Sequence, residues 1–263
     1  MAYFQFLTGF IGLPALFVTI LNLRLNSKGR MLPCSLLAWP PLAVVGGHIL
    51  LALLYTTPWD NYLVANRVWW YDPALVVGTT LGYVPVEEYL FFIGHTFLVG
   101  TALLTVARLS PQVESPFLPR NHLRLWSTFL AISIWMYGIF LLGFGNVSGT
   151  YLGLELAWGM IPIVVQLGFG ADIIWHYRRP VIWTLLPATV YLALADAFAI
   201  QSGTWTISPD QSLGVTIGGI LPLEEFVFFF LTTAMVVFGV ILVIARQSHD
   251  RARWIPERMR SRK

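Results

Sequence analysis

Seven long apolar stretches constrain the fold of this chain more than any other feature. They lie near 3–21, 36–56, 82–106, 125–145, 151–174, 181–200 and 217–244, with ends that such patterns place to within about three residues. A helix needs about 20 apolar residues to cross the hydrocarbon core of a bilayer. Only 11% of the residues are charged, against about 25% in soluble domains. We therefore predict an all-α membrane protein with seven transmembrane helices.

The positions of the basic residues predict the orientation. Of the 16 Lys and Arg residues, all but Arg67 fall in the first, third and fifth loops or in the tail after residue 245. The positive-inside rule then places the N-terminus outside and the C-terminus in the cytoplasm of a cell-membrane protein. Since the basic groups sort by loop and form no stripe, the lipid bilayer is the expected partner and nucleic acid is not.

The two halves of the chain carry the same residues in the same order. The first half has Asp60, Trp69, Pro73, Pro85, Glu87 and Glu88. The second half has Asp196, Trp205, Pro209, Pro222, Glu224 and Glu225. The offset is 136 residues as far as Pro73 and 137 from Pro85 onward, and Tyr3 and Pro14 match Tyr151 and Pro162 at an offset of 148. Spans one to three are therefore predicted to repeat as spans five to seven.

The repeat predicts the topology. A unit of three spans starts outside and ends inside, so the chain must cross once more before it repeats in the same orientation. We predict two parallel three-helix repeats joined by a linking helix, a 3+1+3 arrangement about an axis along the membrane normal. The predicted divisions are 1–110 for the first repeat, 111–148 for the linker with its helix, 149–246 for the second repeat and 247–263 for a basic cytoplasmic tail.

Six acidic residues are the predicted catalytic groups. They are Asp60, Glu87, Glu88, Asp196, Glu224 and Glu225, which parallel repeats would gather near the outer membrane interface. Acidic groups at membrane depth are costly and usually functional. The alternative is that a proline followed by acids simply begins a helix. That alternative explains less well why a matching aspartate and tryptophan accompany each pair.

Aromatic residues share helix faces with the predicted acids. Glu88 shares a face with Phe91, Phe92 and His95, and Glu225 shares one with Phe228 and Phe229. Within each Glu pair the side chains point about 100° apart, so one can reach a cavity while a partner holds the other. A carboxyl group away from water keeps its proton for donation, and ring faces stabilise a cation. The alternative for each ring alone is ordinary packing.

The paired Pro-x-Glu-Glu motifs, each behind an Asp and a Trp nine residues apart, resemble those of the integral-membrane lycopene cyclases over residues 1–245. The resemblance implies acid-catalysed, redox-neutral conversion of lycopene to γ-carotene and β-carotene. Glu88 or Glu225 would protonate the terminal double bond, and Asp60, Asp196 or the other glutamate would remove a ring proton. The predicted contacts with this lipophilic carotenoid substrate are Trp69, Trp205, Phe91, Phe92, Phe228, Phe229 and His95.

Two other functions remain open. One is a proton-coupled small-molecule transporter with parallel repeats, and the other is a cyclase that acts on a C50 carotenoid or forms ε- or γ-rings. Neither lysine, Lys28 or Lys263, lies in the last span, which excludes a retinal protein. No cofactor is predicted, because the glycine-rich stretch 143–149 lacks the third glycine of a dinucleotide fingerprint, and no metal site is predicted. Oligomeric state and the number of active sites are left undecided.

Two further acids lie in the predicted fifth span. Asp172 is near the cytoplasmic end of this span and is expected to pair with Arg178 or Arg179. Glu155 is near the outer face and is expected to border the site.

Overall fold

Seven long apolar helices form the body of the protein in a computed structural model, which describes residues 1–111 and 116–260. They are α1 (Tyr3–Ser27), α2 (Pro41–Ala65), α3 (Val86–Leu109), α4 (Asn121–Phe144), α5 (Thr150–His176), α6 (Arg178–Gln201) and α7 (Leu223–Ile244). All seven helices are long and apolar enough to cross a membrane, which confirms the predicted class. An eighth helix, α8 (Arg246–Arg260), follows. Residues 112–115 of the predicted linker and 261–263 of the predicted tail lie outside the described residues.

Several predicted helix boundaries were wrong by more than three residues. The third and seventh spans were predicted to begin at 82 and 217, whereas α3 and α7 begin at Val86 and Leu223. The residues before them form two small hairpins, β2 (Thr80–Leu81) with β3 (Val84–Pro85), and β5 (Thr216–Ile217) with β6 (Leu221–Pro222). Proline at the end of each hairpin favours extended backbone and a helix that starts directly after it.

Two helices continue past the ends that apolarity alone predicted. The first predicted span ended at 21 and the second at 56, but α1 continues to Ser27 and α2 to Ala65. Backbone hydrogen bonds hold a helix together beyond the point where its side chains become polar. This extension carries Asp60 inside α2, near its end.

The hairpin turns account for the change of offset in the repeat. Two residues, Gly82 and Tyr83, connect β2 to β3, whereas three residues, Gly218, Gly219 and Ile220, connect β5 to β6. The inserted residue therefore lies in the second turn. Gly82 has φ +70° and Gly218 has φ +62°, a left-handed backbone that glycine adopts without steric cost.

A third strand pair ties the two halves together. Strand β1 (Trp69–Tyr71) follows α2, strand β4 (Trp205–Ile207) follows α6, and the two pair in antiparallel fashion with Trp70 opposite Thr206 at the centre. The backbone hydrogen bonds Ser208 N to Val68 O (2.8 Å) and Asp72 N to Thr204 O (3.3 Å) extend the pair on both sides. The N-terminal amine binds Ser202 O at 3.3 Å, so the N-terminus lies at this same end, hereafter the hairpin end.

Helices α3 and α7 form the centre of the bundle, with about two thirds of each apolar span buried. Helix α3 packs on α1, α2, α6 and α7, while α7 also packs on α2, α5 and α6. Helix α4 lies outside this core, with 11% of its span buried, and packs chiefly on α5. Gly138 permits this close approach, since an added Cβ would lie 2.6 Å from Leu156 Cβ.

At the opposite end, the predicted partner of Asp172 was wrong. Arg251 of α8 forms a two-pronged ion pair with Asp172, with Nη2–Oδ2 at 2.7 Å and Nη1–Oδ1 at 2.9 Å. The backbone N–H of Arg120 adds a third bond at 3.1 Å. Arg178 instead donates to Trp175 O. The planar guanidinium matches both carboxylate oxygens, and α8, which carries it, lies beyond the apolar pattern.

Candidate active site

One small cavity at the hairpin end collects acidic, phenolic and aromatic side chains from both halves of the chain. Its volume is about 40 Å³. It is lined by Tyr3, Trp69, Tyr71, Glu88, Phe91, Tyr151, Asp196, Trp205, Ile207, Glu225, Phe228 and Phe229. We call it the acid cavity. Of the six predicted catalytic residues, it brings together Glu88, Glu225 and Asp196.

Glu88 is held by two phenol groups. It lies in the first turn of α3, and its Oε2 accepts hydrogen bonds from the hydroxyls of Tyr3, at the start of α1, and Tyr71, in β1. The Tyr71 bond is 3.0 Å long. Removal of this hydroxyl from water, together with the negative charge of Glu88, raises the pKa of Tyr71 well above its usual value. Tyr71 therefore stays protonated and available as a donor.

Glu225 occupies the matching position in α7 with one donor fewer. Its Oε1 accepts a hydrogen bond of 2.7 Å from the hydroxyl of Tyr151, the repeat counterpart of Tyr3. The position that corresponds to Tyr71 holds Ile207, whose side chain has no hydrogen-bonding group. The two glutamates therefore face one cavity but differ in the number of phenols that bind them.

The other glutamate of each pair points away from the acid cavity. Glu87 Oε1 accepts a 2.6 Å hydrogen bond from Val77 N, and Glu224 Oε1 accepts one of the same length from Leu213 N. Both acceptors are buried. Adjacent side chains on a helix point about 100° apart. Glu88 and Glu225 therefore face the acid cavity while Glu87 and Glu224 face the preceding loops. Glu87 and Glu224 each anchor the loop that precedes the hairpin before their own helix.

The two repeat aspartates also differ. Asp196 lines the acid cavity and its Oδ1 accepts a 2.9 Å hydrogen bond from the indole N–H of Trp205. Asp60 is buried but does not line the cavity, and neither of its oxygens is hydrogen-bonded to a described residue. Trp69 is the repeat counterpart of Trp205, the residue that binds Asp196, and it lines the acid cavity. Glu155, expected to border the site, is also buried outside the cavity lining and without a hydrogen bond from the described residues.

The predicted aromatic residues divide between two neighbouring cavities. Phe91, Phe228 and Phe229 line the acid cavity, and the rings of Phe91 and Phe229 meet edge to face at 6.2 Å. Phe92 and His95 instead line a larger apolar cavity of about 270 Å³ toward the middle of the bundle, hereafter the second cavity. Phe91 and Phe228 line both cavities and so lie at their boundary.

The tyrosines were missing from the predicted site. Tyr3 and Tyr151 occupy matching positions in the two repeats. This match was the one sequence signal that could have placed both tyrosines at the same site. Tyr71 and Ile207 gave no such signal, because they break the repeat. Across the described residues, no cluster of His, Cys, Asp and Glu has the geometry to hold a metal ion.

Seven membrane-length helices, with buried carboxyl and phenol groups gathered at one internal cavity, are the features of an integral-membrane protein of the helical type. The chain belongs to the lycopene cyclase family, whose family model, described as "Lycopene cyclase", matches residues 1–106 and 148–242. The unmatched residues between these two segments include α4.

Curated relatives cover most of the chain. It is 38% identical over 208 residues to the lycopene beta-cyclase of Halobacterium salinarum, an alignment covering 78% of this chain and 84% of that protein. It is 34% identical over 216 residues to the bifunctional lycopene cyclase/phytoene synthase of Fusarium fujikuroi, covering 79% of this chain and 34% of the fungal protein. The Podospora anserina protein of the same name is 31% identical over 207 residues. No solved structure matches the chain.

Proposed function

We propose that this protein is a lycopene beta-cyclase, an enzyme that converts the acyclic ends of lycopene into β-ionone rings without redox change. The observation that carries the proposal is the acid cavity, where two phenol-bound glutamates face aromatic rings in the interior of a membrane protein. The names of the relatives and the family membership support the same reaction. They give no support to the transporter alternative.

The reaction needs one proton donor and one proton acceptor. A carboxyl group adds its proton to the terminal double bond of the substrate, which leaves a tertiary carbocation. The next double bond attacks this cation and closes the ring, and a carboxylate removes a ring proton to form the new double bond. One proton enters the substrate and one leaves, so lycopene becomes γ-carotene and then β-carotene with no other reactant.

We assign Glu225 as the acid and Glu88 as the base. Hydrogen bonds donated to a carboxylate favour its ionised form, and Glu88 accepts two from phenols where Glu225 accepts one. Asp196, held by Trp205, lies in the same cavity. It is placed to help return the proton from Glu88 to Glu225 after each turnover. Asp60, Glu87 and Glu224 then have supporting roles, because they lie off the cavity.

The aromatic residues stabilise the cation and bind the polyene. Phe91, Phe228 and Phe229 surround the space beside the two glutamates, with Trp69 and Trp205 on the strand side. The face of an aromatic ring stabilises a cation by about 0.5–2 kcal/mol, most strongly where water is absent. Phe92 and His95 would contact the polyene in the second cavity.

The proposed 3+1+3 arrangement has support from matched contacts. Tyr3 N binds Leu75 O and Tyr151 N binds Gln211 O, which are equivalent pairs. The β1–β4 pair has equivalent residues at its centre, as in a self-complementary two-fold interface. We therefore retain the division into a first repeat (1–110), a linker (111–148), a second repeat (149–246) and a tail (247–263).

The shared cavity favours one active site. Glu88 and Glu225 come from different repeats and face the same space, so each repeat contributes half of one site. The two ends of lycopene would then be cyclised in succession. We place the hairpin end and the N-terminus outside the cell membrane and the basic C-terminal end in the cytoplasm, in accordance with the distribution of Lys and Arg.

Expression in a bacterium that accumulates lycopene tests the function. We expect the cells to turn from red to orange and chromatography to detect γ-carotene and β-carotene, since the chain contains donor, acceptor and cation-stabilising rings. The control is the same host with an empty vector. Unchanged lycopene, with the protein verified in the membrane fraction, would reject the proposal. A different ring type would be visible in the retention and spectrum of the product, and a preference for a longer C50 substrate would be measured in a host that makes one.

A further inference from the structure

One face of α5 lies against α7 beside the acid cavity. Tyr151, Glu155 and Gly159 follow one another on this face, about one helical turn apart. The hydroxyl of Tyr151 donates to Glu225 at 2.7 Å, and an added Cβ on Gly159 would lie 2.9 Å from Leu231 Cδ1. Glu155 lies between these two contacts. Its side chain therefore faces α7, about one turn further along than the contact with Glu225.

The carboxyl group of Glu155 is enclosed and has no partner. The residue is fully buried, and neither of its oxygens is hydrogen-bonded to a described residue. No ion pair among the described residues includes it. Removing an ionised carboxylate from water without a partner is very costly, so the position disfavours a negative charge.

The titratable groups of the surrounding helices are carboxyls and phenols. They are Glu224 and Glu225 on α7, Tyr151 on α5, Asp196 on α6, Glu88 on α3 and, acting on Glu88, Asp60 on α2. Two neighbouring carboxyl groups with no cation to balance them do not both ionise, because each charge opposes the other. Glu155 and Glu225 therefore hold at least one proton between them.

The first half of the chain has a leucine at the equivalent position. Tyr3, Leu7 and Ile11 are the matching residues at the offset of 148. Tyr3 donates to Glu88, and an added Cβ on Gly94 of α3 would lie 2.5 Å from Ile11 Cγ2. The buried Leu7 thus lies on the face of α1 that packs on α3. The two faces are equivalent, and the extra carboxyl group belongs to the second half alone.

We infer that Glu155 is a positioning residue that acts through Glu225: its carboxyl group opposes ionisation of Glu225 and so keeps a proton on the acid of the proposed reaction. This inference rests on the proposed function. In the first half, Tyr71 instead adds a second hydrogen-bond donor to Glu88, which favours the carboxylate. The two departures from the repeat complement each other, since Tyr71 favours a base at Glu88 and Glu155 favours an acid at Glu225.

The test is the pH dependence of lycopene cyclisation by Glu155→Gln in detergent. The reaction needs a protonated acid, so its rate falls at alkaline pH. An amide cannot oppose ionisation of Glu225, and we therefore expect the alkaline limb of kcat/KM to move to lower pH by about one unit. At a fixed pH on this limb the rate should be about tenfold lower than wild type. On the acidic side of the limb it should stay within about twofold.

Three further variants separate this effect from general damage. Glu155→Leu gives the second half the residue of the first and should move the limb as Glu155→Gln does. Glu155→Asp keeps a carboxyl group and should return the limb at least halfway to its wild-type position. Thr184→Val is the matched control, because it removes a buried hydroxyl on α6 that also has no partner among the described residues. It should leave the pH profile unchanged.

The outcomes are distinct. An alkaline limb at the wild-type position in Glu155→Gln would overturn the inference. A loss of rate that is equal at every pH would also overturn it, because that is the result of a purely structural role. A wild-type protein that forms no cyclic carotene at any pH rejects the proposed function itself.

Discussion

Replacing Glu225 by glutamine is expected to lower the rate of cyclisation by about 10²–10⁴-fold, the usual contribution of a positioned general acid. Glutamine has nearly the same shape and can still accept the hydrogen bond from Tyr151 that Glu225 accepts at 2.7 Å. It cannot donate an acidic proton to a double bond. Conversion of lycopene by purified protein, followed by chromatography, measures the effect.

Glu88→Gln is expected to cause a comparable loss, since an amide cannot accept the ring proton. The matched controls are Glu87→Gln and Glu224→Gln, at the neighbouring positions of the same helices. Their amide oxygens can still accept the bonds from Val77 N and Leu213 N, so they should lose less than about tenfold. Normal β-carotene from a Glu88→Gln, Glu225→Gln double variant would show that neither glutamate moves the proton.

Asp172→Asn is expected to have the largest effect on stability. The substitution removes the charge that pairs with Arg251 through two bonds and leaves a largely buried guanidinium, 13% exposed, without a charged partner. Breaking a fully buried pair costs about 3–5 kcal/mol, and the partial exposure of Arg251 reduces this to about 2 kcal/mol. The apparent melting temperature in detergent should fall by roughly 5 °C.

The exposed Asp210 supplies the control for this measurement. Asp210→Asn removes an equal charge at the surface and should change the melting temperature by less than about 1 °C. If Asp172→Asn melted at the wild-type temperature, the ion pair between α5 and α8 would contribute nothing to stability.

The sequence was sufficient to predict the helices, because apolar runs of membrane length leave few other folds. It also identified the repeated carboxylates and tryptophans from their constant offset. The hairpins before α3 and α7 were missed, since residues 80–85 and 216–222 are as apolar as the spans that follow. Local composition did not separate two short strands from a first helical turn.

The differences between the two halves of the site were not predictable from the repeat. Tyr71 and Ile207 hold equivalent positions, and only their placement in β1 and β4 brings each of them to the acid cavity. The pairing of Asp172 with Arg251 depends on the way α8 folds back against α5. Both features arise from tertiary contacts between residues distant in the chain.

The antiparallel pair of β1 and β4 has a consequence for the product. Trp69 and Tyr71 on one strand and Trp205 and Ile207 on the other form a wall of the acid cavity at the hairpin end, the end that we propose faces the outer aqueous phase. A tertiary carbocation exposed to that phase would be captured by water and released as an acyclic alcohol. In the proposed reaction, the neighbouring double bond behind this wall would be the nucleophile within reach. The two strands would therefore favour ring closure over hydration.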